Sequence, residues 1–593
     1  MPARRPLVFA LLLAALAVPS AAGADAGVPG RESDPIVIEG ADVPGLVGAQ
    51  PDRIVAFRYE DGWLQVPVQV DERTLVDYAT VRQNHQTAGR PFSHLGYADP
   101  NTFAGPDSNP LLDPDDEIAA MAMDVGERAP IDIAAPDGVA AGSRTEVAIA
   151  DPLQPGTTRR LYLFRSAGDL DPSAGTSYVD YDFDLVSGDY RSTYSFSGVP
   201  GGDSGDPDGP PANPEDSTVE TDHYSQHLLS RWVGDALELS AGGATGVDIL
   251  DGDKAQAFYG CGRSELTFSR GGGGFIANLS GPVRAIRSYI GANSGTYTQR
   301  DHVYYQSAEV ASTYLRVHAG LAQLHQFLDY SDAADGMTYR NSAQPAGVTI
   351  DGVPDPALET GTSLGPLLEW EQATGEQGTV TIMNRLETTL PGVQVGSYYH
   401  DDLTPTIAQC GGYADAEAHG ASGPAIHNAG RNTDPTLDDA GDVGDPYDLT
   451  GTRTIYFSGP GGDAELAEQR AAQVDAPLEV TRAAPRARPL RLRAPGAERV
   501  GSDRRARISV RLANLAGAPI QLATLCGEAR AKLARVGRCR QARGLAPGAT
   551  RRLTLKVTLR RAALDKRAVR LRLRADVAGS KPARDDVRLK PRG

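Results

Sequence analysis

Apolar and polar residues alternate with a period of two through much of this chain, and that period predicts strands. Residues 505–512 run Arg-Ala-Arg-Ile-Ser-Val-Arg-Leu, which sets Ala506, Ile508, Val510 and Leu512 on one side and Arg505, Arg507 and Arg511 on the other. The alternation returns at Leu553, Leu555, Val557 and Leu559. It returns again at Val569, Leu571, Leu573 and Ala575, opposed by Arg570, Arg572 and Arg574. Successive side chains on a strand point to opposite faces, so each apolar set can enter a core while each arginine set faces outward. Nearer the N-terminus, Leu64, Val66, Val68 and Val70 predict a strand over 63–70. Others are expected at 146–150, 160–164, 178–185, 265–269, 275–279, 283–290 and 379–383, separated by turn clusters such as Gly271–Gly274 and Ser280-Gly281-Pro282. The clearest helix is Ala464 to Val474, with Asp463 as its N-cap and Glu465 favouring the first turn. The pattern predicts a mainly β, multi-domain protein: a sandwich or supersandwich body followed by an immunoglobulin-like sandwich.

At 593 residues the chain is too long for one core. Its 66 glycines and 42 prolines exceed ordinary usage without reaching low-complexity levels. With the strand pattern, this excludes a collagen, a wholly disordered chain and a long helical bundle. Residues 1–24 read as an export signal: Arg4 and Arg5, an apolar run from Leu7 to Val18, then Ala22-Gly23-Ala24. That run is short for a membrane span, which needs roughly twenty residues, and no later stretch is apolar enough to cross. A secreted or wall-associated protein is expected. Cys261, Cys410, Cys526 and Cys539 suit an oxidising compartment. They allow three pairings, of which Cys526–Cys539 and Cys261–Cys410 are expected.

Net charge is −18, but its distribution is uneven. From residue 481 onward 31 Lys+Arg stand against seven Asp+Glu, while the preceding residues hold 27 basic and 69 acidic side chains. Few continuous domains change sign so sharply, so the break also marks a boundary. The expected division is a sandwich over 30–165, a larger β domain over 166–480, a linker over 481–496 carrying Pro485, Pro489 and Pro495, and a basic module over 497–593.

Within that module, the run from Arg507 to Asn514, the pair Cys526 and Cys539, and Gly544-Leu545-Ala546-Pro547-Gly548-Ala549-Thr550 ahead of a strand are similar to the CARDB-type, cell-adhesion-related repeats of bacterial surface proteins. The resemblance covers residues 490–593 and implies a spacer or adhesion unit, with no catalytic residue carried over. Its arginine rows suit an anionic wall polymer or acidic polysaccharide, or else merely solvate the sheet faces. Nucleic acid is not expected, since no reading motif is present.

Three kinds of candidate chemistry lie in the body. Asp107, Asn109, Asp113, Asp115 and Asp116 place oxygen ligands at short spacings in a loop, as calcium requires, although the EF-hand spacing is missing. Weaker acidic groups stand at Asp203 to Asp216 and Asp434 to Asp445; solvated loops are the alternative for all three. His223 and His227 share a face but lack the glutamate of a zinc protease motif. The segment 284–305 gathers Arg284, Arg287, Tyr289, Asn293, Arg300, His302, Tyr304 and Tyr305. Tyrosine rings stack on sugars and arginine steadies carboxylates, so this segment is expected to line a sugar-facing surface. His302, Tyr304 and Arg287 are the candidates for proton transfer and charge stabilisation in a lyase. No Gly-x-Ser-x-Gly elbow and no P-loop is present. Two functions follow: a glycan- or wall-polymer-binding protein with an adhesive C-terminal module, or a secreted carbohydrate-active enzyme tethered by that module.

Overall fold

A computed structural model describes residues 26–83, 93–130, 133–194, 213–258, 273–291, 298–316, 323–358, 364–403, 418–428, 448–482, 490–515, 520–546, 548–577 and 582–591. The expected signal, Asn293, Cys261, Cys410, the strand at 265–269 and most of the two weaker acidic groups lie outside these residues. Among them the protein is mainly β and multi-domain.

Two small sheets, beside the two-stranded pair Arg73–Asp77 and Ser93–Tyr97, form the N-terminal region. One holds Pro35–Glu39, Glu117–Met121 and Gln69–Asp71; the other holds Glu479–Arg482, Thr145–Ala150, Thr158–Arg165, Ile54–Tyr59 and Trp63–Val66. Ile36, Ile38, Ile118, Ile54, Val147, Ile149 and Leu161 fill the space between them. The strand expected over 63–70 divides between the two sheets, and Pro67, which has no N–H to donate, separates the halves. Glu479–Arg482 arrives from far along the chain, with Val480 opposite Ile149, so this sheet is not completed within 30–165.

The body is a sandwich of two nine-stranded sheets. In one, Tyr224–Ser230, Val233–Leu239, Leu250–Phe258, Gln323–Tyr330, Ala418–His427 and Gln394–Asp402 are successive neighbours. In the other the neighbours run Gly274–Leu279, Ala285–Ile290, Thr298–Tyr305, Ala308–Arg316, Asp448–Ser458 and Gly378–Thr388. Leu228, Leu237 and Leu328 from the first sheet meet Ala285, Tyr304, Ile382 and Ile455 from the second in one buried cluster. The expected strand at 178–185 contracts to Asp180–Asp182 at the sheet edge. The helix Ala464–Asp475 forms where expected, with the Asp463 side chain accepting the Leu466 N–H at 3.0 Å. Its Ala467 packs on Trp370, Met383 and Tyr456, covering part of the second sheet's outer face. Among the described residues, no helix is long and apolar enough to cross a membrane.

The C-terminal module is a second sandwich with its own core. Leu490–Arg493, Arg505–Asn514, Thr550–Leu559 and Ala534–Val536 form a four-stranded sheet. Ala497–Arg499, Ala583–Lys590, Val569–Asp576, Ile520–Glu528 and Arg540–Leu545 form a five-stranded one. All the alternating apolar positions read from the sequence are inward-facing, and Ile508, Val510, Leu555, Leu571 and Leu573 lie at the centre. Leu490–Arg493 falls within the segment expected to be a linker, because Leu490 and Leu492 insert into this core. No Phe, Tyr or Trp follows Phe457, so the core is wholly aliphatic, unlike that of antibody domains. Cys526 and Cys539 are joined by a disulfide.

Candidate functional site

Register decides which groups of segment 284–305 meet. Arg287 stands opposite His302 and Tyr289 opposite Arg300, while Tyr304 stands opposite Ala285 on one side and Glu309 on the other. Directly paired residues share a sheet face, so Arg287, Tyr289, Arg300, His302, Tyr304 and Glu309 point the same way, toward the first sheet. The candidate catalytic groups Arg287, His302 and Tyr304 therefore converge.

Their partners are carboxylates and amides inside the sandwich. His302 Nδ1 lies 2.6 Å from Glu309 Oε1, and His302 Nε2 lies 3.0 Å from the Tyr289 hydroxyl. Gln226, from the facing sheet, donates to Glu309 Oε2 at 2.9 Å. Arg287 forms a two-pronged pair with Glu215 at 2.7 and 2.9 Å and donates to Ser230 O at 3.1 Å. Burial alone would pull the Arg287 guanidinium down, but Glu215 and Tyr181 hold it well above its usual value. Burial likewise acts to raise Glu309, yet the hydrogen bond and charge of His302, with Gln226 and Arg300, keep it below the usual carboxylate range. A carboxylate–imidazole–phenol chain thus runs between the sheets.

The same groups are sealed. Tyr289 and Tyr304 are 0% exposed, Arg287 1% and His302 5%. The void among them measures about 20 Å³, room for one water and not for a sugar ring. Burial, then Glu309, drives Tyr304 far above the ordinary phenol range, which removes it as a proton acceptor near neutrality. The expected sugar-facing surface is thus an inter-sheet interior, because Tyr, Arg and His occupy inward positions of central strands. Arg284 has a different task. It donates to Asp71 at 2.9 Å and Glu117 at 2.7 Å, while Gln69 Oε1 accepts the Arg284 N–H at 3.0 Å, riveting the body to the N-terminal sheet. Tyr305 is also buried, its hydroxyl 3.4 Å from Arg284.

Sequence reasoning missed Glu309 and Gln226, and placed Glu215 in a weak acidic group rather than with Arg287. Glu309 carries a signal: the turn at Gln306-Ser307 sets a hairpin register that places it opposite Tyr304. Glu215 carries none, since it reaches Arg287 across 72 residues.

The acidic loop uses its oxygens on its own backbone. Asp107 Oδ2 accepts the Asn109 N–H at 3.0 Å, and Asp113 Oδ1 accepts that of Asp115 at 3.2 Å. Asp116 accepts the N–H groups of Asp113 at 2.7 Å and Arg73 at 2.9 Å. Among the described residues, no group of three His, Cys, Asp or Glu side chains is disposed to hold a metal. His227 sits between Asp216 at 3.0 Å and Asp235 at 2.5 Å.

No family model and no curated protein matches this chain. Among solved structures it is similar to an alpha-mannosidase from Enterococcus faecalis V583, with 8% identity and a TM-score of 0.36 over 89% of this chain and 54% of that one. It also aligns with a FixG-related protein from Vibrio parahaemolyticus (11% identity, TM-score 0.15, covering 18% of this chain and 100% of that one). A third alignment is with the N-terminal domain of the Streptococcus gordonii adhesin Sgo0707 (7% identity, TM-score 0.13, covering 71% and 90%). Likenesses this slight carry no argument about function.

Proposed function

We propose that this is an exported, non-catalytic β protein that binds an anionic wall polymer or acidic polysaccharide through its C-terminal module, the body serving as a rigid carrier. One observation carries the reading. The candidate groups Arg287, His302 and Tyr304 are enclosed around about 20 Å³, the first two paired with Glu215 and Glu309, whereas the outward arginines on the module's strands stand in solvent. Buried charges paired internally hold two sheets in register; exposed cations on a rigid face remain available to a polyanion.

The Glu309–His302–Tyr289 chain favours a second reading, a lyase or hydrolase whose site opens between the sheets. Incubating the full chain with neutral and acidic polysaccharides separates the two. Retention without unsaturated or new reducing ends supports the binding protein. Product that disappears in His302→Ala, with binding kept, establishes the enzyme. Absence of both retention and product overturns both readings.

A further inference from the structure

The two outer faces of the C-terminal sandwich carry charge in different ways. On the five-stranded sheet, cations and carboxylates are interleaved. Arg572 stands opposite Asp586 on one side and Glu528 on the other; Arg570 is paired with Asp586, and Arg574 with Asp576 at 2.7 Å. Arg570 and Arg574 also stand opposite Arg588 and Arg584, so the carboxylates offset only part of the charge on this face, which holds the arginine row most conspicuous in the sequence.

On the four-stranded sheet the outward positions contain no carboxylate. Arg493, Arg511 and Arg552 stand directly opposite one another across three strands, and Arg507 stands opposite Lys556. All five are exposed, and Arg491, Arg505 and Arg535 extend the same face. Neighbouring strands lie ~5 Å apart and alternate residues along a strand ~7 Å apart, so the cations form a dense grid. Like charges placed directly opposite destabilise a sheet. The other face has like-charge rungs too, Arg570 opposite Arg588 and Arg574 opposite Arg584, but there Asp586 and Asp576 pair with Arg570 and Arg574. An external anion is the relief that this face lacks.

We infer that the outer face of the four-stranded sheet is the seat of a linear polyanion, and that the chemistry recognised is a carboxylated polysaccharide. The inference deepens the proposed function and rests on it. Seven of the eight cations are arginines, whose planar forks match carboxylates in two-pronged pairs. Ser509, Thr554 and Thr558 stand among them as exposed hydroxyls suited to sugar hydroxyls. Single-stranded nucleic acid would call for aromatic stacking platforms, and no aromatic residue follows Phe457.

The test uses the full chain with polygalacturonate, with neutral dextran and a duplex DNA fragment as comparisons, across a salt series. The face variant is R507E/R511E/R552E. A control, R570E/R572E/R574E, changes net charge equally on the opposite sheet. The expected result is at least a tenfold loss of polygalacturonate affinity in the face variant, less than threefold in the control, and wild-type binding that falls with salt. If reversal prevents folding, R507Q/R511Q/R552Q should fold, melt higher than wild type because the like-charge rungs are gone, and still lose binding. Equal losses in face and control variants, or none in either, overturn the assignment to this face while leaving the proposed function standing. Tighter binding to DNA than to polygalacturonate at matched salt overturns the polysaccharide assignment. A wild-type chain that binds no polyanion fails the proposed function itself.

Discussion

Segment 284–305 in the body and strand Arg505–Asn514 in the module are both arginine-rich stretches within strands, yet the structure uses their charge in opposite ways. Arg284 and Arg287 point inward and are each answered by a carboxylate, Asp71 and Glu117 for one and Glu215 for the other. Arg505, Arg507 and Arg511 point outward over an aliphatic core, and no strand position paired with them carries a carboxylate. What separates the two is the residue type alternating with arginine. In the module Ala506, Ile508, Val510 and Leu512 claim the inside, so arginine must go out. In the body both parities of 285–290 are buried, between a sheet partner on one side and the N-terminal region on the other, so no alternation marks the outside. A charged residue there has to find its counter-charge within the fold.

The largest expected effect breaks the body's half of this comparison. Glu215→Ala leaves the Arg287 guanidinium buried without its carboxylate and should cost about 3–5 kcal/mol, read by denaturant unfolding of the body transition. Arg511→Ala in the module should be neutral or mildly stabilising by the same measurement. A loss below about 1 kcal/mol for Glu215→Ala would mean that the interior is wetter than the structure shows.

Acid sharpens the contrast. Burial, then the neighbouring His427, depresses His325 to about 3, against an unfolded value near 6.5. Below the unfolded value the unfolded chain takes up a proton that the folded chain refuses. The contribution is therefore complete above pH ~6.5 and is lost as pH falls toward 3, on the order of 2 kcal/mol by pH 5. Among the described residues of the module, no Asp, Glu, His, Lys or Arg is buried. Calorimetry at pH 7 and pH 5 should leave the module transition nearly unmoved, and His325→Phe should raise the body transition relative to wild type more at pH 5 than at pH 7. The comparison is with wild type because Glu72 and Asp124, held above their usual range, titrate in the opposite sense in both proteins.

The smallest effect lies within the polar chain. The Tyr304 hydroxyl has no hydrogen-bond partner among the described residues, whereas that of Tyr289 meets His302 at 3.0 Å. Tyr304→Phe should be neutral or slightly stabilising, and Tyr289→Phe should cost about 1 kcal/mol. The reverse order in thermal melts would require a different arrangement around His302.

Much of the fold was legible because alternation is a local signal. The module's strands, the helix at Ala464 and the Cys526–Cys539 pair all follow from nearby residues. Domain limits were less legible: Glu479–Arg482 pairs with Thr145–Ala150, a contact that no local pattern announces. The candidate site was legible in membership and not in setting. Arg287, His302 and Tyr304 do meet, but composition cannot distinguish a polar surface from a polar interior when the neutralising residue is Glu215, distant in sequence.

Arginine footprinting tests the central claim most directly. The full chain is treated with phenylglyoxal with and without polygalacturonate, and the modified residues are located by mass spectrometry. The account predicts that Arg284 and Arg287 stay unmodified in both conditions, while Arg493, Arg507, Arg511 and Arg552 react in the free protein and are protected by the polymer. Modification of Arg284 and Arg287 in the free protein, with protection by the polymer there and none on the four-stranded face, would contradict it.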